Sequence, residues 1–267
     1  MYDYHIHSNY SPDSSSTMLS MARSAFDSGL QGVCFTDHVD LDYADPEQKY
    51  GYPFSKHKHE IESIGSMLPG PLELYTGIEL GLQPHISKEN SEFLHGRDYD
   101  FIIGSIHCIG KKEMYRSCFL EGISDAQGIV NYFTDMLQCL DNFSDFDVLG
   151  HLDGVRRNLV HGEGGFSFVT YREYIEDVLK KLIKANKGIE VNTSGKRYNL
   201  SSYHPLTEII KLYKDLGGEI ITLGSDAHTP NCVGYDFKNA LNLLSEIGFK
   251  YYTIFKKRKP IFIKIKE

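Results

Sequence analysis

The sequence predicts a closed parallel α/β barrel, and three observations predict it. Strand-like apolar runs alternate with helix-period segments along nearly the whole chain. No Pro-, Gly- or Ser-rich linker interrupts the alternation, so the seven βα units read as one body and residues 1–267 as a single domain. Histidines and carboxylates close one strand-like run after another. A closed ring brings all those carboxyl-terminal ends to one point, which an open doubly wound sheet does not.

The elements follow in order. A first strand over 2–7 ends in His5 and His7, and a helix over 17–28 leads to a strand over 32–38 ending in His38. A helix over 55–68 precedes a strand over 73–82 that carries Glu79. A short helix over 87–95 connects to a strand over 100–109 that carries His107, and a helix over 125–142 to a strand over 147–152 with His151. The segment YREYIEDVLKKLIKAN (171–186) has apolar residues at three-to-four spacing and stops before Lys187-Gly188, as an amphipathic helix does. A strand over 188–193 holds Asn192. The helix over 205–216 opens on Pro205, which suits a first-turn position. A strand over 219–225 leads into Asp226 and His228, and a helix over 236–247 completes the seventh unit. The tail YYTIFKKRKPIFIKI reads as two more short strands around a basic turn, a C-terminal β extension expected on the outside or bottom of the barrel.

Bulk properties narrow the class. A hydrophobic content of 41% suffices for a sizeable core. No run approaches the ~20 apolar residues of a membrane span, and the chain opens on a strand rather than a leader, so no membrane partner and no export are expected. Five scattered cysteines without a CxxC read as reduced thiols in a cytoplasmic protein. The formal charge of −8 argues against a nucleic-acid partner, and KKRK at 256–259 reads as a solvated hairpin turn. Nothing in the sequence addresses oligomeric state.

The strand-end residues have the chemistry of a metal centre. His5 and His7 are two apart, and residues i and i+2 of a strand share a face, so both rings can reach one ion. Asp226 and His228 repeat that spacing on the last strand. Thr36 and His38 share a face as well, which makes His38 rather than Asp37 the ligand if the strand persists. Nitrogen and oxygen ligands without cysteine suit two or three divalent ions of Zn, Mn or Fe, and suit Mg less.

HIH near the N-terminus, then TDH, GIE, GSIH, GHLD and SDAH in that order, resembles the polymerase and histidinol phosphatase (PHP) family over nearly the whole chain. The resemblance implies a distorted (β/α)7 barrel with a two- or three-metal phosphoesterase site. It implies that His5, His7, Glu79 and Asp226 hold one metal, and that Glu79 bridges to a second completed by His107 and His151. A third would take His38, His228 and a side chain after the HxH motif. Many relatives have histidine there, and this chain offers Asp13.

The expected reaction is phosphomonoester hydrolysis by direct attack of a metal-bridging hydroxide, since no seryl or cysteinyl nucleophile motif is found. Glu79, Asp226 and His228 are the catalytic candidates, with Asp226 or His228 able also to move a proton. Arginine's fork suits a phosphate dianion. Arg197, after EVNTSGK, is the first choice of clamp; Arg156 and Arg157, past GHLDG, come second; Asn192 faces the barrel mouth. Asp153 is read either as a partner that orients a ligand or as a loop residue. The acidic, aromatic stretch VDLDYADPEQKYGYPF (39–54) suits a cationic ring-bearing group. Together with the free-standing length, the resemblance implies L-histidinol phosphate, and so a small phosphorylated substrate in histidine biosynthesis. The alternatives are another small ester such as a nucleotide or sugar phosphate, a carbon–nitrogen hydrolase, or a catalytically silent metal-binding or regulatory module.

Overall fold

The computed structural model describes residues 1–44, 52–115 and 117–266. Seven parallel strands form the barrel wall: β1 (Tyr2–Ile6), β2 (Gly32–Phe35), β3 (Glu73–Gly81), β4 (Phe101–Ser105), β5 (Val148–Leu149), β6 (Gly188–Asn192) and β7 (Ile221–Gly224). They pair in sequence order, each with the next. Among the described residues the ring closes through one parallel bridge, Ile6 to Ala227, with His7 N donating to Ala227 O at 2.9 Å and Asp226 N to His5 O at 2.7 Å. That thin seam, the two residues of β5 and a register shift between Asp3 and Ile6 are among the places where the barrel departs from regularity.

Helices follow the strands: α1 (Met18–Asp27), α2 (Phe54–Ile64), α3 (Ser87–Leu94), α4 (Asp125–Asn142), α5 (Phe168–Lys184), α6 (Thr207–Asp215) and α7 (Phe237–Ile247). Three of them begin on a side-chain cap that accepts a backbone N–H of the first turn: Thr17 for α1, Ser124 for α4 and Ser167 for α5. α5 buries Tyr171, Ile175, Val178, Leu179 and Leu182, one stripe of a 3.6-residue period. β1, β2, β4 and β6 are buried at every position, because helices cover one face and the barrel interior the other.

The tail forms an antiparallel hairpin, β8 (Tyr251–Lys256) and β9 (Lys259–Lys264), turning at Lys257 and Arg258 with φ of 50° and 60°. Asp100 holds that left-handed turn, its carboxylate accepting from Lys257 N at 3.0 Å and its carbonyl from Arg258 N at 2.9 Å. Arg258 Nε donates to Asp147 at 2.6 Å, and Phe255 packs its ring 5.1 Å from Phe101. Asp100 and Asp147 stand just before β4 and β5, so the hairpin seals the amino-terminal end of the barrel. KKRK is therefore a turn fastened to carboxylates. Among the described residues no helix is long and apolar enough to cross a membrane.

Two local expectations need correction. Pro205 does not sit in the first turn of α6, which starts at Thr207. His204 is bridged to Asn192 at the end of β6, with N–H···O bonds of 2.9 and 2.7 Å, so the chain is still extended there and turns into the helix only afterwards. Asp226 and His228 lie beyond β7, and Asp226 has a φ of 53°. Their approach to one centre comes from a loop turn and not from the shared face of a strand.

Candidate metal centre

The carboxyl ends of the strands deliver the predicted side chains to one buried cluster. His5 is in β1 and His7 just past it; Glu79 is in β3; His107 and His151 lie two residues beyond β4 and β5. β2 stops at Phe35, and His38 enters through a separate two-residue strand that pairs with Glu79. The strand break turns Asp37 away, as expected, though not by simple alternation.

Glu79 is the hub. Its Oε1 lies 2.8 Å from His151 Nε2 and 3.2 Å from His107 Nε2. Its Oε2 lies 3.2 Å from His5 Nε2, 3.0 Å from His38 Nδ1 and 3.5 Å from His7 Nε2. Asp226 Oδ1 approaches His7 Nε2 at 3.4 Å and His5 Nε2 at 3.8 Å. The His7 ring is stacked between His38 and His228, with centroids 4.3 and 4.1 Å away. Asp13, half exposed, reaches His228 Nε2 at 3.0 Å and His38 Nε2 at 3.5 Å. All nine predicted ligands thus meet. They form one continuous cluster, with His38 beside both Glu79–His107 and His7–His228, rather than three separate sets.

Several of these atoms fit a cation better than they fit one another. His5 Nε2, His7 Nε2 and Glu79 Oε2 are buried, yet none makes a hydrogen bond with a described residue. Close but misaligned nitrogen and oxygen atoms point at one common focus, as metal ligands do. The electrostatics agree. Burial lowers the His5 pKa, but Glu190, Glu79 and Asp226 outweigh it and hold the ring well above its ordinary range. His107 is likewise pushed up to about 9: burial acts downward, and Asp40 and Glu79 prevail. These carboxylates call for positive charge at the centre, from protons or from metal. His7 is pushed down to about 3 by burial and by neighbouring His228 and His38, which leaves it neutral and able to ligate.

The ring nitrogens that face away are held by residues that sequence reasoning did not single out. Glu190 Oε1 meets His5 Nδ1 at 2.6 Å, and Asp40 Oδ1 meets His107 Nδ1 at 2.8 Å. Both fix a tautomer and a ring orientation. Each had a signal: Glu190 is two before Asn192, and Asp40 two after His38, the same spacing that marked the HxH pair. Gly224 makes room for Glu190, since a Cβ there would stand 2.0 Å from Glu190 Oε1.

The arginines divide differently from expectation. Arg156 is fully buried, and its bonds to Asp153 (2.9 Å), Glu163, Ser202 and the Tyr203 carbonyl (3.3 Å) are all internal to the fold. Arg197 spends Nη2 on the carbonyls of Ser225 and Asp226, bracing the loop that carries Asp226. Arg157 lies over the rings of Tyr115 and Tyr198, at 4.8 and 4.2 Å; its Nη1 is 4.0 Å from Asp226 Oδ2 and makes no hydrogen bond with a described residue. Asn192 donates to Glu190 (3.1 Å) and Asp226 (3.4 Å) and accepts from Ser194 N (3.0 Å), which makes it a brace for carboxylates and loop backbone. Asp153 takes His204 Nδ1 at 2.6 Å and Leu206 N at 2.8 Å, so it orders a loop and no ligand. Of the acidic stretch 39–54, residues 45–51 lie outside the described residues. Asp40 and Tyr52 serve the interior, and Asp42 pairs with His85 at 2.7 Å.

Comparison with known proteins agrees with this geometry. A family model described as the PHP domain matches residues 3–194. The probable histidinol-phosphatase of Clostridium acetobutylicum is 29% identical over 254 residues, covering 94% of this chain and 95% of that protein. The histidinol-phosphatase of Lactococcus lactis subsp. lactis is 28% identical over 260 residues, covering 95% and 93%. Among solved structures, histidinol phosphate phosphatase from Lactococcus lactis, complexed with zinc, L-histidinol and phosphate, aligns with a TM-score of 0.87 at 26% identity, over 97% of this chain and 98% of that one. The family match stops before Asp226 and His228, while these relatives cover 94% of the chain or more. With its nearly closed parallel barrel and its ring of histidines and carboxylates at one mouth, the chain belongs to the PHP domain family.

Proposed function

We propose that this chain is a cytoplasmic, single-domain, metal-dependent histidinol-phosphatase that converts L-histidinol phosphate to L-histidinol and phosphate. The observation that carries the metal dependence is that buried His5 Nε2, His7 Nε2 and Glu79 Oε2 converge without a hydrogen bond to a described residue. The substrate follows from relatives that match nearly end to end, one of them solved with L-histidinol and phosphate.

His5, His7, Glu79 and Asp226 would hold one ion, Glu79 with His107 and His151 a second, and His38, His228 and Asp13 a third; Zn, Mn and Fe all suit the donors. Divalent ions bound there supply Lewis acidity and lower the pKa of water into the neutral range. The chain's own work is positional. Arg157, lying over two tyrosine rings, turns Nη1 toward the carboxylate side of the cluster, where an anionic phosphate oxygen gains a charge-assisted bond. Arg197 keeps Asp226 in place from behind. We therefore rank Arg157 ahead of Arg197 as the phosphate clamp.

Phosphate release from L-histidinol phosphate should vanish on chelation and return with Zn or Mn. Parallel assays with a nucleotide and a sugar phosphate should give lower kcat/KM; a higher value for either would move the assignment to that ester. Hydrolysis in ¹⁸O-water should label phosphate alone. Arg157→Ala should raise KM about tenfold or more, since a charge-assisted hydrogen bond contributes about 1.5–3 kcal/mol, while metal content stays unchanged. An unaltered KM would remove Arg157 from the substrate site.

A further inference from the structure

One buried polar chain leaves the ligand ring and ends at the start of α2. Ser11 Oγ lies 3.0 Å from His7 Nδ1 and 2.8 Å from Asp37 Oδ1, and it receives the His38 backbone N–H at 3.0 Å. Asp37 Oδ1 also accepts from Ser8 N at 2.6 Å, and Oδ2 from Ser8 Oγ at 2.8 Å and His57 Nε2 at 2.9 Å. His57 Nδ1 meets the Tyr52 hydroxyl at 2.8 Å. Asp37, His57 and Ser11 are all buried.

The protons can be counted. Donors converge on both oxygens of Asp37, the pattern of a carboxylate, which only accepts. Ser11 has one hydroxyl proton, and Asp37 takes it. The Ser11 oxygen then offers lone pairs alone, so the proton between Ser11 and His7 belongs to His7 Nδ1. His7 Nε2 is left with its lone pair, facing Glu79 and Asp226. On the other side, His57 gives its Nε2 proton to Asp37, and its Nδ1 meets the Tyr52 hydroxyl, which also donates to the Gly77 carbonyl at 3.3 Å. His5 and His107 meet carboxylates directly, whereas His7 meets a hydroxyl polarised by a carboxylate one step further out.

We propose that Ser11, Asp37 and His57 are positioning residues that hold His7 in its Nδ1–H tautomer, ready to ligate a metal through Nε2. The inference deepens the metal-centre reading and rests on it, but it needs no particular substrate.

The test uses the full chain. Zinc affinity is read by competition with a chromophoric chelator. Ring tautomers are read by long-range ¹H–¹⁵N spectra of the metal-free protein, and folding by thermal melts in chelator. Ser11→Ala should weaken zinc binding about 10- to 100-fold and erase the Nδ1–H signature of His7, while Ser11→Thr, which keeps the hydroxyl, should largely restore both. His57→Leu should weaken zinc binding several-fold, and His57→Gln, which retains an N–H donor for Asp37, should lie near wild type. A merely structural role would lower the melting temperature without moving the tautomer. Wild-type zinc affinity with an unchanged His7 tautomer in Ser11→Ala would overturn the proposal, as would an Nε2–H His7 in the unsubstituted protein. If His57→Leu fails to fold, the Ser11 pair decides. Absence of zinc binding by the unsubstituted chain would instead defeat the metal-centre reading, and the spectra would still report the tautomer.

Discussion

Glu79→Gln should abolish phosphate release, by at least about 10³-fold in kcat, beyond the ~10²–10³ that losing a single stabilising donor costs. Its carboxylate lies within 3.5 Å of ligand nitrogens on His5, His7, His38, His107 and His151, so one substitution removes the anion the whole cluster shares. Bound metal per chain should fall with activity, as metal analysis after gel filtration would show. Stability should behave differently. His5 and His107 keep Glu190 and Asp40, the carboxylates that contribute most to holding their pKa values up, when Glu79 is neutralised. No stranded charge remains, and the melting temperature in chelator should not fall. Full metal content together with wild-type kcat would show that Glu79 is not needed to hold metal.

Arg156→Ala should do the reverse. Arg156 is the largest fully buried side chain of the molecule. Its guanidinium joins Asp153, Glu163, Ser202 and the Tyr203 carbonyl. Truncation leaves a cavity and takes the guanidinium away from Asp153, itself buried, and breaking a buried pair from one side costs about 3–5 kcal/mol. At ~2–4 °C per kcal/mol for chains approaching this size, the melting temperature should drop by about 10 °C. Zinc content of the folded protein should persist. Arg156→Lys should recover little, because an ammonium cannot span these acceptors as a planar fork does. An unchanged melting temperature with a raised KM would return Arg156 to the substrate site.

How legible each feature was depends on how local its cause is. The seven βα units were readable because both the strand and the helix signals repeat within a few residues. The ligands were readable because metal chemistry admits few residue types, and the barrel puts them at a recognisable place, the strand ends. His5 and His7 obey simple strand alternation. His38 and Asp226–His228 reach the same centre by a strand break and a left-handed turn, which alternation does not describe. Glu190 and Asp40 lay two residues from singled-out positions and could have been found by the same spacing. Ser11 and His57 could not, since their role exists only through partners 26 and 20 residues away from them at Asp37.

The arginines show the limit most clearly. Arg156 and Arg157 are adjacent, equally charged and equally suited to phosphate on paper. Burial against Asp153 and Glu163 commits one to the fold, while the other lies over two tyrosine faces and its Nη1 makes no hydrogen bond with a described residue. Taken alone, the chain's order of residues determined the barrel, the kinds of atom at its mouth and the family those imply, because periodicity and donor type are written along the backbone. Which ring nitrogen faces the centre, which carboxylate orients it and which arginine is spoken for were decided only in three dimensions, where hydrogen bonds between distant segments assign each proton and each charge a partner.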